Sequence, residues 1–149
     1  GCDAAIVQDA DLEYDPAELR AALAPILDGR ADAVIGTRFL GQTHNVLYYW
    51  HSVVKKGITA LSNMLSNLNL TDVETGYKVF RREVITALEL KENSFGIEPE
   101  ITQKVARAGW RIYEVPISYY GRTYEEGKKI GFMDAVQAFW CIARYRFFQ

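Results

Sequence analysis

Asp9, Asp11 and Glu13 stand at every second position just after a short apolar run, Ala4-Ala5-Ile6-Val7. The run has the length and bulk of a buried strand. Side chains two apart on extended backbone face the same side, so the three carboxylates are expected to converge. Converging carboxylates repel, and a shared divalent cation relieves that repulsion. Hard oxygen donors suit Mg²⁺ or Mn²⁺, which are commonly held by one or two carboxylates together with substrate phosphates. Two other readings use the same residues. Acids after a strand also serve as a solvated loop or helix cap. An Asp-x-Asp phosphatase would want a small hydroxyl two residues beyond the second Asp, where this chain has Glu13.

Cations that can meet phosphate lie in two later stretches. Arg38 follows an apolar run, and Arg122, Lys128 and Lys129 fall in a polar segment from Gly121 to Gly131. A guanidinium fork binds phosphate bidentately, whereas an ammonium acts as a point charge. Were the acceptor a hydroxyl, a carboxylate base would be needed, and Asp72, Glu74, Glu98 and Glu100 are the candidates. Asp72 and Glu98 suit capping roles equally well. Lys55 and Lys56 read as the wet face of a helix, and His44 and His51 as lone surface or packing residues.

The elements that must carry these groups follow from periodicity. Asp15-Pro16-Ala17-Glu18 reads as a helix start with Asp15 as cap and Glu18 reaching back in a capping box. Leu19, Ala22, Leu23, Ile26 and Leu27 form one face, and Gly29 ends the helix. Ala33 to Gly36 is a second buried strand, so strand, helix and strand predict a right-handed crossover in a parallel sheet. A long helix is expected from Asn45 to Asn67 with Leu47, Trp50, Val54, Ile58, Leu61, Leu65 and Leu68 as its ladder. The cluster Tyr48-Tyr49-Trp50 near its start reads as core or subunit contact. A loop and strand follow over 72–82, then a short helix from Glu83 to Leu90 and a further one ending at Arg107. Arg111 to Tyr119 alternates as a strand whose Pro116 marks an edge or bulge. Residues 132–148 form a last helix, apolar on most of its circumference; Phe132, Phe139 and Trp140 suit a bilayer surface, a core or a dimer contact.

A chain of 149 residues with 49% hydrophobic and 24% charged residues can build one compact domain. A net charge of -2 with no basic stripe argues against a nucleic-acid partner. Two cysteines make no disulfide or metal framework, and a reducing, cytoplasmic setting is expected.

Taken in order, five segments resemble the inverting family 2 glycosyltransferases of the GT-A fold, in particular the dolichyl- or polyprenyl-phosphate sugar synthases. They are Gln8 to Glu13 with Asp15-Pro16, Gly36 to Phe39, Asp72 to Lys78, Gly96 to Glu100, and Glu114-Val115-Pro116 with Tyr120-Gly121-Arg122. The resemblance implies an α/β Rossmann-like three-layer sandwich, truncated at its N-terminus, with residues 1–149 as the C-terminal part of a single domain. It implies a nucleotide-sugar donor, a polyprenyl-phosphate acceptor, Mg²⁺ or Mn²⁺, and a place at the cytoplasmic face of a membrane. A homo-oligomer is compatible with it. Asp9, Asp11 and Glu13 are the expected metal ligands. Asp9, Asp11, Arg122 and Lys128 are expected at the donor, and Asp9, Asp11, Arg38, Arg122 and Glu100 in catalysis. Relatives acting on dolichyl phosphate often have Gln where Glu13 stands. Two alternatives stay open: transfer to a sugar hydroxyl in polysaccharide synthesis, and a non-catalytic metal- or membrane-binding subunit.

Overall fold

The computed structural model of the chain describes residues 3–9, 12–40, 48–93, 96–121 and 131–148. Strands β1 (Ala4–Val7), β2 (Ala33–Thr37), β3 (Lys78–Arg81) and β4 (Ile112–Pro116) form one sheet in the order β1-β3-β2-β4. Helices α1 (Leu19–Leu27), α2 (Tyr49–Ser66), α3 (Arg82–Ala87), α4 (Ile97–Arg107) and α5 (Phe132–Phe147) complete it. Alternation along the strands sorts side chains to the two faces. Val34 and Val79 pack with Ala22 and Ile26 of α1 on one face. Ala33 and Phe80 pack with Val84 of α3 and with Ile101 and Val105 of α4 on the other. Farther out, Ile58 of α2 meets Ala138 and Ile142 of α5.

The sheet is mixed rather than parallel. β1 and β2 run in the same direction, as the crossover predicts, but they do not pair. β3 lies between them, antiparallel to both, with Lys78 opposite Val7 on one side and Ile35 on the other. β2 pairs in parallel with β4, whose Pro116 sits opposite Thr37 at the sheet edge. The insertion delivers the loop that precedes β3 to the exits of both β1 and β2.

Some local signals hold and others give way to tertiary contacts. Asp15 caps the 3-10 turn Pro16–Glu18, accepting from the Ala17 amide at 2.8 Å. Glu18 does not close a capping box. Its carboxylate accepts instead from the Ser118 amide at 2.9 Å and hydroxyl at 2.8 Å, tying the segment after β4 to the start of α1. Leu27, expected on the buried face, is exposed. α2 ends at Asn67 in the left-handed region, φ 56°, and buries Ile58, Thr59 and Ser62. Trp50 and Val54 of the expected ladder face solvent, and the expected start of α2 at Asn45 lies outside the described residues.

Asp32 ties the strand ends together. Its carboxylate accepts from Arg111 Nε and Nη2, each at 2.9 Å, and from Arg81 at 3.3 Å. The Arg111 hydrogen bonds hold its carboxyl down at about 2. A depressed carboxyl stabilises the fold above the unfolded value near 3.9 and loses that contribution as pH falls. Asp32→Asn should therefore destabilise the protein at pH 7 by about 1 kcal/mol, the half-exposed Arg111 screening part of the interaction. The gap to the parent should close between about pH 4 and pH 2, read from chemical denaturation at a series of pH values.

Candidate active site at the exits of β1 and β2

Asp9 leaves β1 two residues beyond its last strand position, and its carboxylate occupies the space that a Cβ at Gly76 would fill. Gly76 is thus required by close approach rather than by backbone conformation. No described residue hydrogen-bonds to the exposed Asp9 carboxylate. Extension does not continue through Glu13. Leu12 adopts φ 62°, costly for a γ-branched residue, and is fully turned to solvent. The reversal buries Glu13, whose carboxylate accepts from the Tyr119 hydroxyl at 3.2 Å and whose carbonyl accepts from the Tyr120 amide at 2.9 Å. The extended backbone expected through Glu13 is therefore broken at Leu12. Asp11 lies outside the described residues, and among those described no three His, Cys, Asp or Glu side chains gather as a metal cage.

Arg38, at the exit of β2, is almost wholly buried. Its Nε and Nη2 donate to the two oxygens of Asp72 at 2.5 and 2.7 Å, and its backbone amide reaches the same carboxylate at 3.3 Å. Burial opposes the guanidinium charge, but the Asp72 carboxylate beside it outweighs burial and keeps Arg38 firmly protonated. The guanidinium also lies 5.1 Å from the Tyr119 ring centroid. Two nitrogens of the expected phosphate-gripping fork are thus taken by a protein carboxylate, and Arg38 holds the Asp72 loop. Glu114 of β4 secures the same loop, accepting from the Thr71 and Asp72 amides at 2.7 and 3.3 Å.

Behind the loop stands Lys78, fully buried on the α4 face of β3. Its ammonium donates to the Thr75 carbonyl, to the Val73 carbonyl at 3.5 Å, and to Glu98 on the first turn of α4. Burial pushes this amine down to about 7, against the pull of Asp72, Asp9 and Glu74. The Glu74 carboxyl is half-buried, and desolvation raises it despite the nearby Lys55 and Arg38 charges. Tyr14 and Tyr119 wall the cluster, ring centroids 5.7 Å apart, both hydroxyls pushed up to about 12 by burial.

Sequence reasoning gave Lys78 no task. A lysine in a strand beside Tyr77, Val79 and Phe80 was the available signal, since a charge in a core strand needs a buried partner. Lys55, expected on the wet face with Lys56, turns its ammonium to within 5.7 Å of the Tyr119 ring centroid. Glu100, expected in catalysis, serves elsewhere. It is fully buried and accepts from the Lys91 and Glu92 amides at 2.9 and 2.8 Å and from Lys104 at 2.7 Å. Burial works against that carboxylate, but these donors outweigh it and hold its carboxyl below the usual range. Arg122, Lys128, Lys129 and His44 lie outside the described residues, while His51 rests against the Tyr48 ring at 5.6 Å.

The sequence pattern of glycosyl transferase family 2 matches residues 2–88. The chain is 30% identical over 139 residues to the undecaprenyl-phosphate mannosyltransferase of Micrococcus luteus, covering 88% of this chain and 55% of that protein. It is 27% identical over 135 residues to the polyprenol monophosphomannose synthase of Mycolicibacterium smegmatis, covering 88% and 51%. A dolichol-phosphate mannosyltransferase of Pyrococcus furiosus matches at 29% over 132 residues, covering 87% and 37%. The chain thus spans about half the length, or less, of these curated relatives. Among solved structures, glucosyl-3-phosphoglycerate synthase from Mycobacterium tuberculosis superposes with a TM-score of 0.71 at 16% identity, over 98% of this chain and 50% of that one. That likeness establishes the fold as the GT-A type.

The Arg38–Asp72 pair sets a stability prediction. Asp72→Ala strands a buried guanidinium and should cost about 3–5 kcal/mol. Combining Arg38→Met with Asp72→Leu should recover most of that loss, as read from urea denaturation midpoints.

Proposed function

Because the chain belongs to glycosyl transferase family 2, we propose that it supplies the diphosphate- and acceptor-facing part of a transferase that moves a hexose from a nucleotide sugar to a polyprenyl phosphate. The observation that carries this reading is the Asp9 carboxylate, held against Gly76 and left without a hydrogen-bond partner among the described residues. It stands at the C-terminal end of β1, where sheets of this kind take their ligands. The donor set fits a hard cation: Asp9, with Asp11 next on the same segment, would hold Mg²⁺ or Mn²⁺. Bound there, such a cation would supply positive charge to offset the negative charge growing on a departing diphosphate.

The chain's own residues do the rest. Gly76 sets the position of Asp9, and the Arg38–Asp72 pair fixes the loop that carries Gly76. An acceptor phosphate is already anionic, so it needs cations to place it rather than a strong base to activate it. Lys55 brings one such cation to the Tyr119 side of the cluster, and Arg122 and Lys128 are the proposed others. Attack from the side opposite the diphosphate would invert the anomeric centre. One observation favours the second reading, transfer to a sugar hydroxyl: the raised Glu74 carboxyl is suited to accepting a proton.

A lipid acceptor is supported by the outer surface. Tyr49, Trp50 and Val53 on α2 and Phe132, Met133 and Trp140 on α5 are all exposed. Phe139 of α5 lies 3.9 Å from the Cβ position of Gly57, so the two helices pack closely there. Apolar surface of that extent marks an interaction site, and aromatic residues with Arg144 and Arg146 nearby suit a bilayer interface. No described helix is long and apolar enough to cross a membrane. Binding at the cytoplasmic face of a bilayer is the corresponding proposal.

Two measurements test this. In the full-length enzyme, Asp9→Ala and Asp11→Ala should each lower kcat by about 10²–10³ with the circular dichroism spectrum unchanged, and chelation should abolish transfer until Mn²⁺ or Mg²⁺ is restored. Undiminished transfer in both variants refutes the reading. Separately, Trp50→Ser with Trp140→Ser should weaken sedimentation with anionic vesicles by about tenfold or more, while leaving the thermal midpoint within a few degrees because both side chains are exposed.

A further inference from the structure

Lys78 is the buried charge for which the transfer chemistry itself has no task. An ammonium carries three N–H donors, and Lys78 directs its donors at three acceptors: the Val73 carbonyl, the Thr75 carbonyl and the Glu98 carboxylate. We propose that Lys78 is a positioning residue for sugar transfer, holding the Asp72–Gly76 loop and the first turn of α4 together so that Gly76 stays against Asp9. The proposal rests on the transferase reading given above.

Three features lead to it. First, position 78 is flanked in β3 by the buried Val79 and Phe80, and it shares a sheet face with Ile35 and Phe80. A hydrocarbon side chain would satisfy burial there without the cost of dehydrating a charge. What a hydrocarbon does not supply is a directional hold on two carbonyls. Second, the ends of the loop so held are the ones the site uses. Asp72 receives Arg38, and Gly76 backs the Asp9 carboxylate. Third, the other ties on this loop engage amides or side chains: Glu114 at Thr71 and Asp72, the Thr59 hydroxyl at the Val73 amide, and the Tyr14 hydroxyl at the Gly76 amide. Lys78 supplies the complementary grip on the carbonyl side, and Glu98 couples that grip to α4.

The test uses the full-length enzyme with Mn²⁺, GDP-mannose or UDP-glucose, and a short polyprenyl phosphate. Lys78→Met is the direct variant. Lys78→Met combined with Glu98→Leu removes both buried charges, so that neither is stranded. For the double variant, kcat should fall about 10- to 100-fold while KM for donor and lipid stays within about threefold, since a misplaced site loses rate more than affinity. Amide exchange over 72–77 should quicken about tenfold, with β2 and α5 unchanged. Parent-like kcat, or parent-like exchange over 72–77, overturns the proposal. So does a uniform rise in exchange along the whole chain, which makes Lys78 an ordinary fold residue. If the parent enzyme transfers sugar to no acceptor, the transferase reading itself fails, and the exchange measurement alone decides whether Lys78 holds the loop.

Discussion

Buried charge must be answered by buried charge, and at one end of this sheet that requirement fixes the backbone. Arg38, Asp72 and Lys78 are all withdrawn from water. In a low-dielectric interior an unanswered ion costs several kcal/mol, so each restricts where its partners can lie. Arg38 takes both oxygens of Asp72, and Lys78 takes the carbonyls just beyond it. The loop from 72 to 76 contains no regular element, yet the Asp72 side chain, the Val73 and Gly76 amides and the Val73 and Thr75 carbonyls are all engaged. A loop held in this way can present a glycine to a carboxylate and keep it there.

Helix α2 brings two environments side by side. Lys55 turns in toward Tyr119, while Trp50, Val53 and Val54 turn out to solvent. The helix buries only Ile58, Thr59 and Ser62, all in its second half. Its first half is therefore attached to the domain on one side and apolar on the other, an arrangement that burial alone does not favour.

What could be read from the chain alone was local. The Asp15 cap, the glycine after α1 and the Pro116 edge each depend on a few neighbouring residues, and each stands; the run before Asp9 forms its strand but is half-exposed rather than buried, because β1 lies at the sheet edge. Long-range partners could not be read. Glu18 looks like a capping-box residue until Ser118, one hundred positions later, takes its carboxylate. Arg38 looks like a free phosphate fork until Asp72 occupies it. The segment through Glu13 looks extended, and nothing in the type of Leu12 announces its left-handed turn. Lys55 and Lys56 are adjacent on one helix, and which of them turns inward depends on where the rest of α2 docks. Each of these cases has the same origin: the residue type states what chemistry is available, and the tertiary partner decides whether it is already used.

The antiparallel insertion of β3 resolves how these partners meet. In a parallel sheet, ligands gather where strands end, and the loops there all follow strands. β3 runs the other way between β1 and β2, so its beginning, Lys78, lies beside Val7 and Ile35 near the ends of its neighbours. The loop entering β3 is thereby added to the loops leaving β1 and β2. Asp9 comes from the first exit, Arg38 from the second, and Asp72, Glu74 and Gly76 from the entry between them. A parallel strand in the same slot would begin at the opposite end of the sheet and leave Arg38 buried without an acid. The reversal of one four-residue strand is thus what turns three separate sequence segments into one site.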